Sequence, residues 1–202
     1  DAAAIKASQE EIIRRYYQAK VDVKKGVATE DVVEKIELIM AQANATIEGR
    51  KCVAPALAKA EETSAPAMAI ELPDGRIVTG KTSPLLGASS AALLNALKAL
   101  CNVDDDLLLI SPSIIEPIQQ LKVNNLGNNN PRLHTDEVLI ALSISATTNP
   151  ISHMAMKALE KLKDCEAHST VILSEVDRNM FRKLQVNLTT EPQYQTKKLY
   201  HH

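Results

Sequence analysis

Apolar residues recur at helical spacing through the first third of the chain, where Ile12, Ile13, Tyr16, Tyr17 and Val23 precede Gly26. Ser8-Gln9-Glu10-Glu11 reads as a capping box, a hydroxyl and a carboxylate satisfying the free amides of a helix start, and the spacing predicts a helix over about residues 9–25. Thr29 is placed to cap a second helix, with Glu30 and Asp31 against its positive end and Val33, Ile36, Ile39 and Met40 on one face as far as about Ala45. A third, shorter helix is predicted from Pro55 to about Glu62. The three make a helical arm over residues 1–65, whose apolar stripes need a partner.

From Ala67 the period changes to two. Met68, Ile70 and Leu72 alternate with Ala69 and Glu71, Pro73-Asp74-Gly75 turns the chain, and Ile77 and Thr79 resume the alternation, which predicts a β-hairpin. Gly87-Ala88-Ser89-Ser90 opens a helix through Leu93, Leu94, Leu97 and Leu100, small-residue-rich enough to lie close on a sheet. The apolar run Leu107–Ile110 reads as a central strand buried on both faces, followed by a helix from Ser113 to Val123 and an Asn- and Gly-rich loop over 124–130. Thr135 and Asp136 start another helix, Asn149-Pro150 ends it and caps the next, Thr170–Leu173 reads as a buried strand, Asn179–Leu184 as a helical turn and Val186–Thr189 as a last strand. Strands alternating with helices after an initial hairpin predict a three-layer α/β sandwich with a mixed sheet over residues 66–202, preceded by the arm.

Composition removes several classes of partner. With a net charge of −2 there is no basic field for nucleic acid or an anionic membrane, and aromatics at 2% give no row of rings on which bases would stack. No apolar run approaches the roughly 18 residues needed to span a bilayer. Cys52, Cys101 and Cys165 are odd in number and far apart, as suits reduced thiols, so a cytoplasmic protein is expected.

Candidate chemistry is sparse. Gly75-Arg76-Ile77-Val78-Thr79-Gly80-Lys81-Thr82 formally fits a phosphate-cradling loop, but its middle residues alternate as a strand, and the match is read as accidental. Lys81, Thr82 and Ser83 end the second strand near the amino end of the following helix, where Ser89 and Ser90 add hydroxyls, and a helix amino end attracts anions. A catalytic zinc needs three protein ligands, whereas His134, His153 and His168 stand in separate elements and His201 and His202 are terminal, so no metal and no cofactor is expected. Ser113 and Glu116, at the start of a helix, are candidate ligand contacts as well as cap and first-turn carboxylate, and His168 with Ser169 enters a buried strand. Ser, His and Glu are all available for a nucleophilic triad, but the sequence does not show that they converge.

The runs Glu71–Gly80, Ile110-Ser111-Pro112 with Glu116–Gln119, Glu137–Ile144 and Ala167–Thr170, together with the opening Ser8–Tyr16, resemble the bacterial family of unknown function 1846 over essentially the whole chain. The resemblance implies that this stretch corresponds to the carboxy-terminal part of much longer proteins, whose amino-terminal part carries its own phosphate-loop-like segment. It also implies a cytidine-deaminase-like fold, as the order hairpin, helix, strand, helix does. No catalytic residue carries over. A deaminase of that kind has a His or Cys opening its first helix and Pro-Cys-x-x-Cys opening its second, and here Pro112-Ser113-Ile114-Ile115-Glu116 stands in the latter place.

The reading is therefore a zinc-free, deaminase-like module of a larger bacterial protein that binds a small anionic ligand, forms a homo-oligomer, or both. Lys81, Thr82, Ser89, Ser90, Ser113, Glu116, His168 and Ser169 are the candidate contacts. The alternative is a hydrolase or transferase acting on a nucleotide or phosphorylated small molecule, with essential residues in the amino-terminal region. Whether the chain is an enzyme stays open at this point.

Overall fold

The computed structural model describes residues 1–195. Its first helix, α1 (Ala2–Lys24), begins well before the capping box, because Ala2, Ala3 and Ala4 are strong helix formers and the Asp1 carboxylate accepts a hydrogen bond from the Ala3 amide at 3.2 Å. Ser8–Glu11 thus lies inside the helix, where Glu11 pairs with Arg14 and Arg15 instead of capping. Helix α2 (Glu30–Gln42) starts after Thr29 as expected and returns antiparallel, with the Gln9 side-chain amide donating to the Ala43 carbonyl. Ile13, Tyr16, Tyr17, Val33, Ala45 and Val53 are buried between these helices and the start of α3 (Val53–Thr63).

The hairpin forms as predicted from β1 (Ala67–Glu71) and β2 (Ile77–Lys81), with Gly75 at φ +85° in the turn, a conformation that glycine adopts without strain. Helix α4 (Ala88–Leu100) follows. The predicted strand Leu107–Ile110 is not one. Both edges of β1 are taken, by β2 and by a strand 100 positions further on, and the segment folds into turns in which the Leu107 amide donates to the Asp104 carbonyl. Leu107 and Leu108 are 46% and 62% exposed, while Leu109 and Ile110 drop into the core, held where the Ser152 hydroxyl donates to the Leu109 carbonyl.

Helix α5 (Pro112–Gln120) is capped by Ser111 rather than Ser113, and passes into a π-helical turn over Leu121–Asn125. Helix α6 (Thr135–Ser145) is followed by α7 (Pro150–Ala158), whose cap Asn149 accepts from the Ile151 and Ser152 amides. The strand expected over 170–173 forms earlier, as β3 (Glu166–Ser169). Asp164, at φ +65°, ends the preceding turn, and the Ser169 hydroxyl closes a turn on Val171 that stops the strand. Helix α8 (Glu175–Lys183) starts four residues before the predicted Asn179, capped by Ser174, and β4 (Asn187–Thr190) follows.

The sheet order is β2-β1-β3-β4, with β1 antiparallel to both neighbours and β3 parallel to β4. It is a mixed sheet in an α/β sandwich. Met68, Ile70 and Ala167 join Leu93 and Leu97 of α4 and Phe181 of α8 in the main core, with α6 and α7 behind. On the other face Ala69 meets Cys52 and Ala56, and the His168 ring lies 4.8 Å from that of Tyr17. Fully burying a Leu or Ile side chain stabilises by about 1.5–3 kcal/mol, so the α4 face dominates the apolar contribution. Helix α4 approaches β2 so closely that a methyl group on Gly80 would lie 2.1 Å from the Ala92 amide nitrogen. No helix among the described residues is long and apolar enough to cross a membrane.

Candidate functional site

Because β2 and β3 both run antiparallel to β1, their carboxyl ends emerge on the same edge of the sheet. The chain leaves β2 for the amino end of α4 and leaves β3 for the amino end of α8. The Leu86–Leu133 bridge brings the start of α6 to the same place. Three helix amino ends surround a cleft of about 380 Å³ at the carboxyl edge, the usual position for a ligand in an open α/β sheet. Its walls include Thr82, Gly87, Ala88, Ser89, Arg132, His134 and Asp177.

Asp177 is the hub. It accepts from the Thr135 amide at 2.9 Å, the Thr135 hydroxyl at 2.7 Å and the Ser89 hydroxyl at 3.1 Å, while His134 Nδ1 stands 3.5 Å from Oδ2. Burial by itself would push this carboxyl up, but the bonds from His134 and from both Thr135 donors outweigh it and hold the group below the usual carboxylate range. His134 is raised in turn, chiefly by its hydrogen bond to Asp177 and against the effect of burial. One internal carboxylate thus occupies the positive ends of α6 and α8.

The amino end of α4 is different. Gly87 offers no side chain to cap it, and among the described residues no hydrogen bond is donated by the Ala88 or Ser89 amide. Both residues face the cleft, which also carries Arg132, whose Nε is spent on the Ser83 carbonyl, and Lys25. Chemically the cleft offers two backbone N–H donors, cationic walls and an imidazole oriented by an aspartate.

Of the eight residues expected to gather at a site, Thr82 and Ser89 line this cleft. Ser90 is buried behind it, donating to the Leu133 carbonyl at 2.9 Å. Lys81 points away and lines a groove along β2 with Lys59 and Arg76. Ser113 and Glu116 are exposed at the start of α5, Ser113 exchanging a hydrogen bond with Ser111 at 2.8 Å. Ser169 is consumed by its turn. His168 is fully buried on the opposite face, with Nδ1 2.7 Å from the Thr189 hydroxyl. Its Nε2 stands 3.7 Å from Glu191, too far for a full hydrogen bond, and burial lowers its pKa against the raising influence of that carboxylate.

Around that histidine lies a network that the sequence reading missed. Arg50, 4% exposed, reaches Glu166 at 2.5 Å, the Ala167 and Asn187 carbonyls at 2.8 Å each and the Thr189 hydroxyl at 2.8 Å, while Arg14 takes the other oxygen of Glu166 at 3.0 Å. These contacts fasten α1 and the start of α3 to β3 and β4.

The phosphate-loop match has no cradle. Ile77–Lys81 is extended, and Gly80 is the contact point of α4. Among the described residues no group of three or more His, Cys, Asp or Glu is placed to hold a metal ion, and Tyr200, His201 and His202 lie outside them. Burial pushes the Cys52 and Cys165 thiols up to about 11, which makes them core residues rather than nucleophiles.

Comparison with known proteins gives two family matches. Residues 1–44 match the model described as "Domain of unknown function DUF1846, N-terminal", and residues 48–200 that described as "Domain of unknown function DUF1846, C-terminal". UPF0371 proteins of Streptococcus pyogenes serotype M5 and of Streptococcus uberis are each 53% identical over 200 residues, which is 99% of this chain and 40% of their own length. The chain therefore spans 40% of the curated relatives it matches, and it straddles the two family models instead of falling wholly within the carboxy-terminal one.

Proposed function

The chain belongs to the DUF1846 family, and we propose that it serves there as a zinc-free ligand-binding module, taking a small carboxylate or phosphate in the cleft at the carboxyl edge of its sheet. The observation that carries this reading is the uncapped amino end of α4, opening on a cleft whose other two helix ends are already satisfied by Asp177. An incoming anion would accept from the Ala88 and Ser89 amides, next to Thr82 and the cationic walls. The likeness to the cytidine-deaminase fold contributes the hairpin-first order alone, since the strand that order places before α5 is not formed.

The test exploits the geometry of the cap. Gly87 has φ −68° and ψ 160°, the conformation that a residue before proline prefers, so Ala88→Pro suits the first helical position while deleting one donor. Phosphate or acetate is expected to raise the melting temperature of the native chain, and to raise that of Ala88→Pro less. No shift in the native chain, or equal shifts in both, would overturn the reading.

A hydrolase or transferase acting on a nucleotide or phosphorylated small molecule is the second reading, favoured by the His134–Asp177 pair. Against it, the Ser89 hydroxyl donates to Asp177 rather than to the imidazole, so it is not held as a nucleophile by the pair. The homo-oligomer belongs to the same proposal. Leu38 and Ile39 on α2, and Ile140 and Ile144 on α6, are between 48% and 66% exposed, and sedimentation over a range of concentrations with Ile140→Lys would test their part in self-association. A cytoplasmic setting is part of the proposal too, in keeping with three free thiols.

A further inference from the structure

A second cavity of about 400 Å³ adjoins the cleft, with Lys25, Ile172 and Leu173 as the common wall, and lies between α1 on one side and α8 and β4 on the other. Arg14, Lys25, Arg178 and Arg182 line it, and no Asp or Glu does. Its remaining surface is mixed, with Val21, Ile172, Leu173, Val186 and Leu188 giving apolar patches among polar side chains such as Gln18 and Asn187. Four cations around a partly apolar floor, in a chain of net charge −2, are a local concentration that composition does not foretell.

Two of the cations are partly balanced from outside the cavity. Arg14 shares Glu11 and Glu166, and Arg178 reaches Glu175 at 2.9 Å. Among the described residues Arg182 meets only a neutral oxygen, that of the Asn179 side chain at 3.3 Å, and Lys25 makes no ion pair. Arg178 and Arg182 stand one helical turn apart on α8, a like-charge spacing that destabilises a helix unless an anion lies between the two groups. The Nε of Arg178 is buried and has no hydrogen-bond partner among the described residues. A desolvated guanidinium N–H left without an acceptor is costly, and a bound anion is what would satisfy it.

We propose that this cavity binds a phosphorylated ligand of nucleotide size, with the phosphates on Arg178 and Arg182 and the less polar body on the floor between Val21 and Leu188. Guanidinium groups match phosphate oxygens in a fixed fork geometry, and a cavity of this volume falls within the range of small-molecule sites. The site is separate in its contacts from the amino end of α4, so either proposal can fail without the other.

The experiment is titration calorimetry of the chain with ATP in the absence of divalent cations. Saturable binding is expected, weakening steeply as salt is raised. Arg182 is exposed and Arg178 is half-buried, so Arg182→Glu and Arg178→Gln are compatible with the fold, which an unchanged melting temperature without ligand would verify. Each is expected to weaken ATP binding by about tenfold or more, as loss of a charge-assisted hydrogen bond does, while Ala88→Pro leaves it unchanged. Absence of ATP binding, binding that survives Arg182→Glu, or binding lost only in Ala88→Pro would each overturn the proposal.

Discussion

On the α4 face of the sheet Met68, Ile70 and Ala167 are closed over by Leu93 and Leu97, and the closest approach is backbone on backbone at Gly80. On the opposite face Ala69 and His168 are covered by Tyr17, Cys52 and Ala56, and the closing contacts are ionic and hydrogen-bonded, through Arg50, Glu166, Thr189 and Arg14. The first face gains from every apolar atom it removes from water and has no room for more. The second gains less from area, and instead fixes which helix lies on which strand, because only one arrangement satisfies a buried guanidinium.

The sharpest way to break this contrast is Arg50→Met, which retains the volume and removes the charge. It takes the ionic partner from one oxygen of Glu166 and one donor each from the Ala167 and Asn187 carbonyls, and a loss of about 3–5 kcal/mol is expected in urea unfolding. A loss below about 1 kcal/mol would mean that the polar face specifies geometry without stabilising it. Next in size is Gly80→Ala, where the added methyl meets backbone of α4 that cannot rotate aside. About 1–3 kcal/mol is expected, with α4 displaced from β2.

The smallest effect separates the histidine of the polar face from the histidine of the cleft by sign. His168 has its pKa lowered from the ordinary 6.5 by burial, so the unfolded chain takes up the proton first, and stability is lost as pH falls from about 6.5 through the lower folded value. His134, raised above 6.5 by Asp177, contributes stability that is complete below about 6.5 and lost as pH rises through the folded value. Melting temperatures across this range should show His168→Leu flattening the acid loss and His134→Gln flattening the loss on the neutral side. Identical pH profiles for the two variants would contradict the assignment of opposite environments.

These regions were unequally legible in the sequence. The hairpin and α4 announce themselves, since alternation, a turn glycine and a leucine stripe are local signals. Leu107–Ile110 has the composition of a central strand, but the central places beside β1 are taken by β2 and β3, a pairing set by residues far from the run itself. Thr82 and Ser89 were within reach because they end β2 and open α4. Asp177 had a signal that went unread, since Ser174-Glu175-Val176-Asp177 is a helix-start pattern and the Ser174 hydroxyl does accept from the Asp177 amide. That it would also meet Ser89 and Thr135 is a tertiary fact. Arg50 had no signal, for its partners stand 116 to 139 positions away.

The register of β1 has a consequence for how the chain is made. Ala69 finds Thr79 soon after both are synthesised, but its other neighbour, His168, emerges from the ribosome long afterwards. In that interval β1, whose Met68, Ala69 and Ile70 are fully buried in the finished molecule, presents an open edge to any other nascent chain. A product terminated anywhere between α4 and β3 would keep that edge open permanently, and should precipitate rather than remain as a smaller soluble domain.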